Sequence, residues 1–460
     1  MSVELDVDLW AEQQFGTCDL GDARRTRRAV RTAALFAADS SGSTPEQTET
    51  WGECKAAYRL IDNADVTFAG LAGPHWERTK ARTSGHYLLL NDTTTISFDG
   101  DRQIAGMGIV TSGNAQGYLL HSALMVDADD GEIIGLAGQT IRYRQRVPKK
   151  EKRCDRLRRD HESEIWGQVI DAVGQVPNEQ VRFTHVCDRG ADSFEVYCHC
   201  LLQQVDWVVR VRGLTRKVHV ADQVLPLADY LTQLPLAGTY ELQVQANENQ
   251  AARTATVEVR FGTVGLSKPH QCGRFTKECG IAFLTTNVIE VLETNPPPGA
   301  EPLQWVLFTS HEVTSWAQAW KVIGYYELRP QVEEFHKAFK TGCRIEGRLY
   351  ETAARWENVT ALLSVIAVRL LQLKTIATKE PERPAAEVVP PSWLKMLSSL
   401  RGPKRAKIVT ARDFLRALAS LGGHLGRKND GPPGWITIWR GFEKLHLMLR
   451  GAKAMNKRCG

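Results

Sequence analysis

Three acidic residues stand where acids are either out of place or useful. Asp92 lies inside HYLLLNDTTTISF, a run of high β-propensity in which Asp is normally depleted. An acid in mid-strand is costly unless it is paired or holds a metal. Asp188 ends the short apolar run VRFTHVCD, and Glu333 sits much further on, in QVEEFHKAFKTG. Two acids on strands and a third on a later helix form a pattern that suits phosphodiester chemistry. Two Mg²⁺ ions about 3.5–4 Å apart can hold both the attacking and the leaving oxygen of an in-line displacement. Mg²⁺ takes oxygen ligands, typically one or two carboxylates per ion. An Asp at a strand end also serves commonly as a turn or cap residue, and that account stays open for Asp188.

Helix phase separates Glu333 from its neighbour. At about 100° per residue, Tyr326, Arg329, Glu333 and Lys340 fall within about 60° of one another, while Val332, Phe335 and Phe339 gather on the far side. Glu334 lies about 100° from Glu333 and leaves the stripe. Pro330 should open a helix at its first turn and disfavours helical geometry at Arg329, so the phase is firm only from residue 330 onward. A solvated charged face is the competing account.

The surrounding elements must place these acids. The first 80 residues read as helices, with VRTAALFAADS and WGECKAAYRLIDN at helical spacing and polar SGSTPEQTET as a loop between them. From about residue 86 the period changes to that of strands, and HYLLLNDTTTISF, GYLLHSALMVDAD and GEIIGLAGQTIRY predict an antiparallel meander. SEIWGQVIDAVGQV is a helix, VRFTHVCDRG a strand, DSFEVYCHCLLQQV a helix and VDWVVRVRG a strand. Residues 214 to about 300 alternate as a β-rich insertion that ends at NPPPGAEP. WVLFTS is a buried strand, two helices follow it, and the last hundred residues are helical with an interruption at PERPAAEVVPP.

Composition narrows the class. The chain has 460 residues, enough for more than one core, and a net charge of +5. Its basic residues cluster: IRYRQRVPKKEKRCDRLRRD holds ten Lys/Arg against three acids, with Arg24, Arg25, Arg27 and Arg28 near the start and Lys404, Arg405 and Lys407 near the end. Several such clusters favour a polyanion partner, because each phosphate contact releases counterions. No run of about 18 uncharged apolar residues predicts a membrane span. The N-terminus lacks an apolar secretory core, and the ten cysteines are scattered, so a reducing cytoplasm is expected. Cys198 and Cys200, two residues apart on a helix, do not face each other, and His270, Cys272 and Cys279 lack a second tight ligand pair, which disfavours structural zinc.

At these acids the chain resembles the DDE cut-and-paste transposases of bacterial insertion sequences, in the branch that contains the kanamycin-resistance composite-transposon enzyme. That branch carries Tyr-x2-Arg-x3-Glu-x6-Lys, and YELRPQVEEFHKAFK puts Tyr326, Arg329, Glu333 and Lys340 in register. NDTTTISF matches its first Asp at Asp92, and VCDRGAD its second at Asp188. The similarity extends to LGDARRTRR and AAYRLIDN at the front and to LLSVIAVRLLQL and GPPGWITIWRGFEKL at the back, so it spans nearly the whole chain.

The resemblance implies an α/β fold with a ribonuclease-H-like mixed five-stranded core, a β-rich insertion, and flanking helical domains. The expected division is an end-DNA-recognition domain over 1–80, a catalytic core over 81–213 and 301–375, the insertion over 214–300, and a dimerisation domain over 376–460. It implies a homodimer on double-stranded DNA that binds inverted-repeat ends, nicks them, forms a hairpin, and joins the freed ends to target DNA. Mg²⁺, with Mn²⁺ as a substitute, would be held by Asp92, Asp188 and Glu333. Tyr326, Arg329, Lys340, Arg210 and Arg212 would grip phosphates, Arg28, Tyr58 and Arg59 would read the end, and Trp305 would stack a flipped base. One departure is Pro330, where close relatives carry a second aromatic helper. A hydrolytic nuclease on the same fold, or a non-catalytic DNA-binding inhibitor, are the alternatives.

Overall fold

The computed structural model describes residues 6–98, 103–110, 115–144, 161–244, 252–401, 407–427 and 430–456. Most of the basic stretch, from 145 to 160, and Lys404 and Arg405 lie outside the described residues.

Helices Val7–Phe15, Ala23–Ala38, Trp51–Ile61 and Phe68–Lys80 make up the N-terminal region. Each starts at an Asp or Thr whose side chain accepts an amide hydrogen bond from the first turn, satisfying donors that the helix itself leaves free. The stretch expected to be a loop between them contains a short helix, Thr44–Gln47. Ser43 and Glu46 cap it reciprocally, and Pro45 is already in helical geometry, so the turn forms within a polar segment.

The strands are β1 Gly85–Phe98, β2 Gly108–Ile109, β3 Gln116–Asp127, β4 Ile133–Arg142, β5 Val181–Cys187, β6 Asp206–Arg210, β7 Lys217–Val220, β8 Gln223–Pro226, β9 Gly238–Val244, β10 Arg253–Ser267, β11 Phe283–Glu293 and β12 Gln304–Thr309. They form one mixed sheet in the order β2-β3-β1-β5-β6-β12-β11-β10-β7-β8, with β4 beside β3 and β9 beside β10. β1, β3 and β4 pair antiparallel, as the meander predicts, whereas β5 and β6 run parallel to β1. The alternating stretch from 238 to 293 extends this sheet through β12, which pairs antiparallel with both β6 and β11.

Alternation along the strands gives the sheet two apolar faces. Leu88, Leu90, Val186 and Leu307 pack on one side with Val332, Phe335 and the long helix Ala353–Lys379. Leu89, Phe183, Val209 and Phe308 pack on the other with helices Ile165–Val173 and Phe194–Gln203. Helix Ala353–Lys379 is long and apolar enough to cross a membrane by composition, but here most of its residues are enclosed in the first core. Helices Pro391–Arg401, Ala411–Leu421 and Trp435–Asn456 complete the C-terminal region. Helices Ala411–Leu421 and Trp435–Asn456 approach backbone to backbone at Gly422 and Gly441, where any Cβ would collide with a main-chain oxygen of the partner helix.

Candidate active site

Sheet register brings the first two acids together. β1 and β5 are neighbouring parallel strands with Leu90 opposite Val186, so two residues further along both strands come Asp92 and Asp188. Adjacent strands lie about 4.8 Å apart, and the two-residue step keeps both acids on the face that Leu90 and Val186 share with the helix Pro330–Lys337. Asp188 caps a turn and still faces the other acids' partner. Its Oδ1 accepts from Gly190 N at 2.7 Å, capping the turn Arg189–Ala191, while Oδ2 faces Arg329.

Helix Pro330–Lys337 docks through Val332 and Phe335, which are fully buried, and this turns Glu333 outward into the cleft, 46% exposed. Pro330 opens the helix as expected, but Arg329 itself has helical geometry, φ −52° and ψ −38°. The expectation that proline would keep Arg329 out of the helix is corrected. Tight turns resolve the conflict: Arg329 N donates to Tyr326 O at 3.0 Å, and Val332 N to Arg329 O at 3.1 Å, so the chain passes almost directly from helix Trp316–Glu327 into the next.

Arg329 is the hub of the site. Its Nη2 lies 3.0 Å from Asp92 Oδ1 and 3.5 Å from Asp188 Oδ2, and its Nη1 lies 2.6 Å from Glu333 Oε1. One guanidinium thus meets all three predicted acids. Burial works against its charge, but the carboxylates of Asp92 and Asp188 outweigh that and raise its pKa. His336 Nδ1 is 3.6 Å from Asp92 Oδ2. Burial alone would raise the Asp92 pKa, yet His336 and Arg329 beside it hold its carboxyl below the usual value. His336 escaped the sequence reading, although its place three residues after Glu333 puts it on a neighbouring helix position.

Lys340 corrects the uniform helix phase. Ala338–Gly342 forms a wider π turn ending on Gly342, which packs against the Trp439 ring. Lys340 Nζ therefore reaches the β1 backbone, donating to Thr95 O at 2.9 Å, and lies 3.2 Å from Glu346. A cleft of about 430 Å³ is lined by Asp92, Glu333, His336, Lys337 and Lys340. A second hollow shares Lys340 and continues to Arg344 and Arg440 on the last helix.

Tyr326 is near both Arg210 and Arg329, and its pKa is raised by burial against their opposing charges. Arg210 also donates to Gln304 O at 3.3 Å, and Trp305 follows on β12, half-buried on the same sheet face as Leu307. Arg212 is exposed, with its backbone N–H held by Asp192 Oδ2 at 2.7 Å. Asp192 is itself fixed by Arg216 and by the Tyr197 hydroxyl. Arg28, Tyr58 and Arg59 lie on the N-terminal helices, with Tyr58 and Arg59 exposed.

Glu334 points elsewhere. It accepts hydrogen bonds from Lys337, Lys374 and the Trp435 indole, and the Lys374 ammonium lies 4.1 Å from the Trp435 ring centroid. Burial would raise its pKa, but these donors pull it down to about 2. The acid that helix phase sets apart thus ties the helix of Glu333 to the C-terminal helices.

Three carboxylates from separate elements give the all-oxygen donor set that a hard divalent cation prefers. As they stand, no group of three His, Cys, Asp or Glu among the described residues is placed to hold a metal ion. The donor chemistry fits, and Arg329 stands among the donors.

Comparison with known families assigns both ends of the chain. Residues 8–66 match the family model described as transposase DNA-binding, covering the helices that carry Arg28, Tyr58 and Arg59. Residues 365–458 match the transposase Tn5 dimerisation domain, from within the long helix to the end of the last. The two matches define a DNA-binding, dimerising transposase, a class of enzyme that cuts and joins DNA. Their order and identity make the chain similar to the Tn5-type transposases at both ends.

Proposed function

We propose that Asp92, Asp188 and Glu333 are the acids through which this transposase cuts and joins DNA, on a core of the ribonuclease-H type. The observation that carries this is their convergence, from a central strand, a neighbouring strand end and a helix, on a single guanidinium. The order β4-β3-β1-β5-β6, antiparallel up to β1 and parallel beyond it, supports the assignment of the core.

Mg²⁺, or Mn²⁺ in its place, would supply charge neutralisation and activation of the attacking oxygen at these acids. The chain's own residues do the positioning. Arg210, Arg212, Tyr326, Arg329 and Lys340 flank the acids and would hold phosphates, Arg as a bidentate donor and Lys as a point charge. Nicking adds water across one phosphodiester and frees a 3′-hydroxyl at the element's end. That hydroxyl oxygen attacks the opposite strand and displaces the flanking strand, giving a hairpin that is reopened and joined to target DNA. Each step exchanges one P–O bond, so one set of acids serves all of them. Trp305 would stack the flipped base, and Arg28, Tyr58 and Arg59 would read the inverted repeat.

Incubating the protein with a labelled end duplex and Mg²⁺ tests this. A hairpin product is expected, and its replacement by nicks alone would leave a hydrolytic nuclease. Asp188→Ala should abolish cleavage while DNA binding survives. Unchanged cleavage would overturn the assignment, and binding without any cleavage by the unaltered protein would make it an inhibitor.

A further inference from the structure

We propose that Arg329 is a built-in counter-ion that must leave the three carboxylates before divalent cations bind, so that DNA and metal bind cooperatively. This rests on the assignment of Asp92, Asp188 and Glu333 as ligands and adds a control over when they become available.

The geometry is specific. Two terminal nitrogens of one side chain face oxygens of three acids at 3.0, 3.5 and 2.6 Å, and the Arg329 side chain is only 10% exposed. A guanidinium and a metal ion would compete for the same carboxylate lone pairs. Its charge of +1 against −3 leaves the cluster net negative, so cations are still attracted while the ligand positions are taken. The pose is also incompletely satisfied: Arg329 Nε is buried and has no hydrogen-bond partner among the described residues. Tyr326 feels the charges of both Arg210 and Arg329, so the three groups are neighbours, and a DNA phosphate among them would offer Arg329 a bidentate partner. A phosphate that draws the guanidinium away exposes the acids to metal, and by linkage metal then strengthens DNA binding by the same factor. The free protein is thereby kept from assembling its cutting centre away from a bound end.

Calorimetric titration of Mn²⁺ into the full chain, alone and with a pre-cleaved end duplex that offers no bond to cut, tests the proposal without reading activity. The duplex should tighten Mn²⁺ binding by about tenfold or more, within the usual range of coupling between sites. Arg329→Gln should bind Mn²⁺ about tenfold tighter than the unaltered protein in the absence of DNA, and the duplex should then add less than about threefold. If Arg329→Gln binds Mn²⁺ no tighter than the unaltered protein, the proposal is overturned. Should that variant fail to fold, Arg329→Lys, with a shorter reach and one nitrogen, carries the test and should bind Mn²⁺ more tightly than arginine allows. Equal affinity there would also overturn it. Asp188→Ala separates the two layers: Mn²⁺ binding that survives it at full strength refutes the ligand assignment itself, whatever Arg329 does.

Discussion

Glu333 and Glu334 are adjacent in the chain and serve two regions with opposite electrostatics. In the cleft, three carboxylates share one guanidinium and a flanking histidine, and two of the acids are more than a third exposed. Where the same helix meets the C-terminal helices, one carboxylate has three donors to itself, from Lys337, Lys374 and Trp435. The acid cluster has one guanidinium for three carboxylates, and the buttress is saturated with donors. An acid whose partners are complete is spent on holding elements together, whereas acids that share too few partners keep capacity for a ligand.

The largest effect should separate these regions most sharply. Asp92→Asn or Asp188→Asn is expected to lower end cleavage by about a thousandfold or more, since it removes the charge that assembles the reacting centre, with end-binding affinity within about threefold. Glu334→Gln should leave cleavage within about tenfold. Gel assays of cleavage and binding on one duplex check both, and a Glu334 variant as inactive as the Asp variants would erase the distinction. Trp305→Ala comes next. Loss of about 1–3 kcal/mol of stacking predicts about a 5- to 150-fold lower hairpin yield with nicking retained, read as product ratios on a denaturing gel.

The buttress predicts a pH signature. The Glu334 carboxyl is pulled from its ordinary value of 4.5 down to about 2 in the folded protein, so its contribution is complete above about pH 4.5 and is lost as pH falls towards 2. Glu334→Gln should therefore cost about 2 kcal/mol at neutral pH, and urea unfolding should show the gap from the unaltered protein narrowing below pH 4.5. A gap that widened with acid would contradict the pairing. The smallest effect belongs to the rim. Arg210→Ala should weaken end binding uniformly across sequences and reduce the salt dependence by about one phosphate contact, measured as the slope of log affinity against log salt.

Much of this site is legible in the chain because its signals are local. Asp92 shows itself as an acid inside a strand, and a 100° phase step distinguishes Glu333 from Glu334. What could not be read depends on long-range pairing. Nothing near Asp92 reveals that Leu90 meets Val186, and that register is what sets Asp188 beside it. The Arg329 hub was obscured by Pro330, whose usual effect on the preceding residue is overcome by the tight turns joining two helices. Lys340 moved because a π turn interrupts the helical period, and β-propensity alone could not show that the stretch from 238 to 293 extends the central sheet.

The most direct test is an anomalous-difference map from crystals of the protein with an end duplex grown in Mn²⁺. The account predicts density within about 2.5 Å of carboxylate oxygens of Asp92, Asp188 and Glu333, with the Arg329 guanidinium displaced towards a phosphate. Density held elsewhere, with the guanidinium still seated among the three acids, would contradict it.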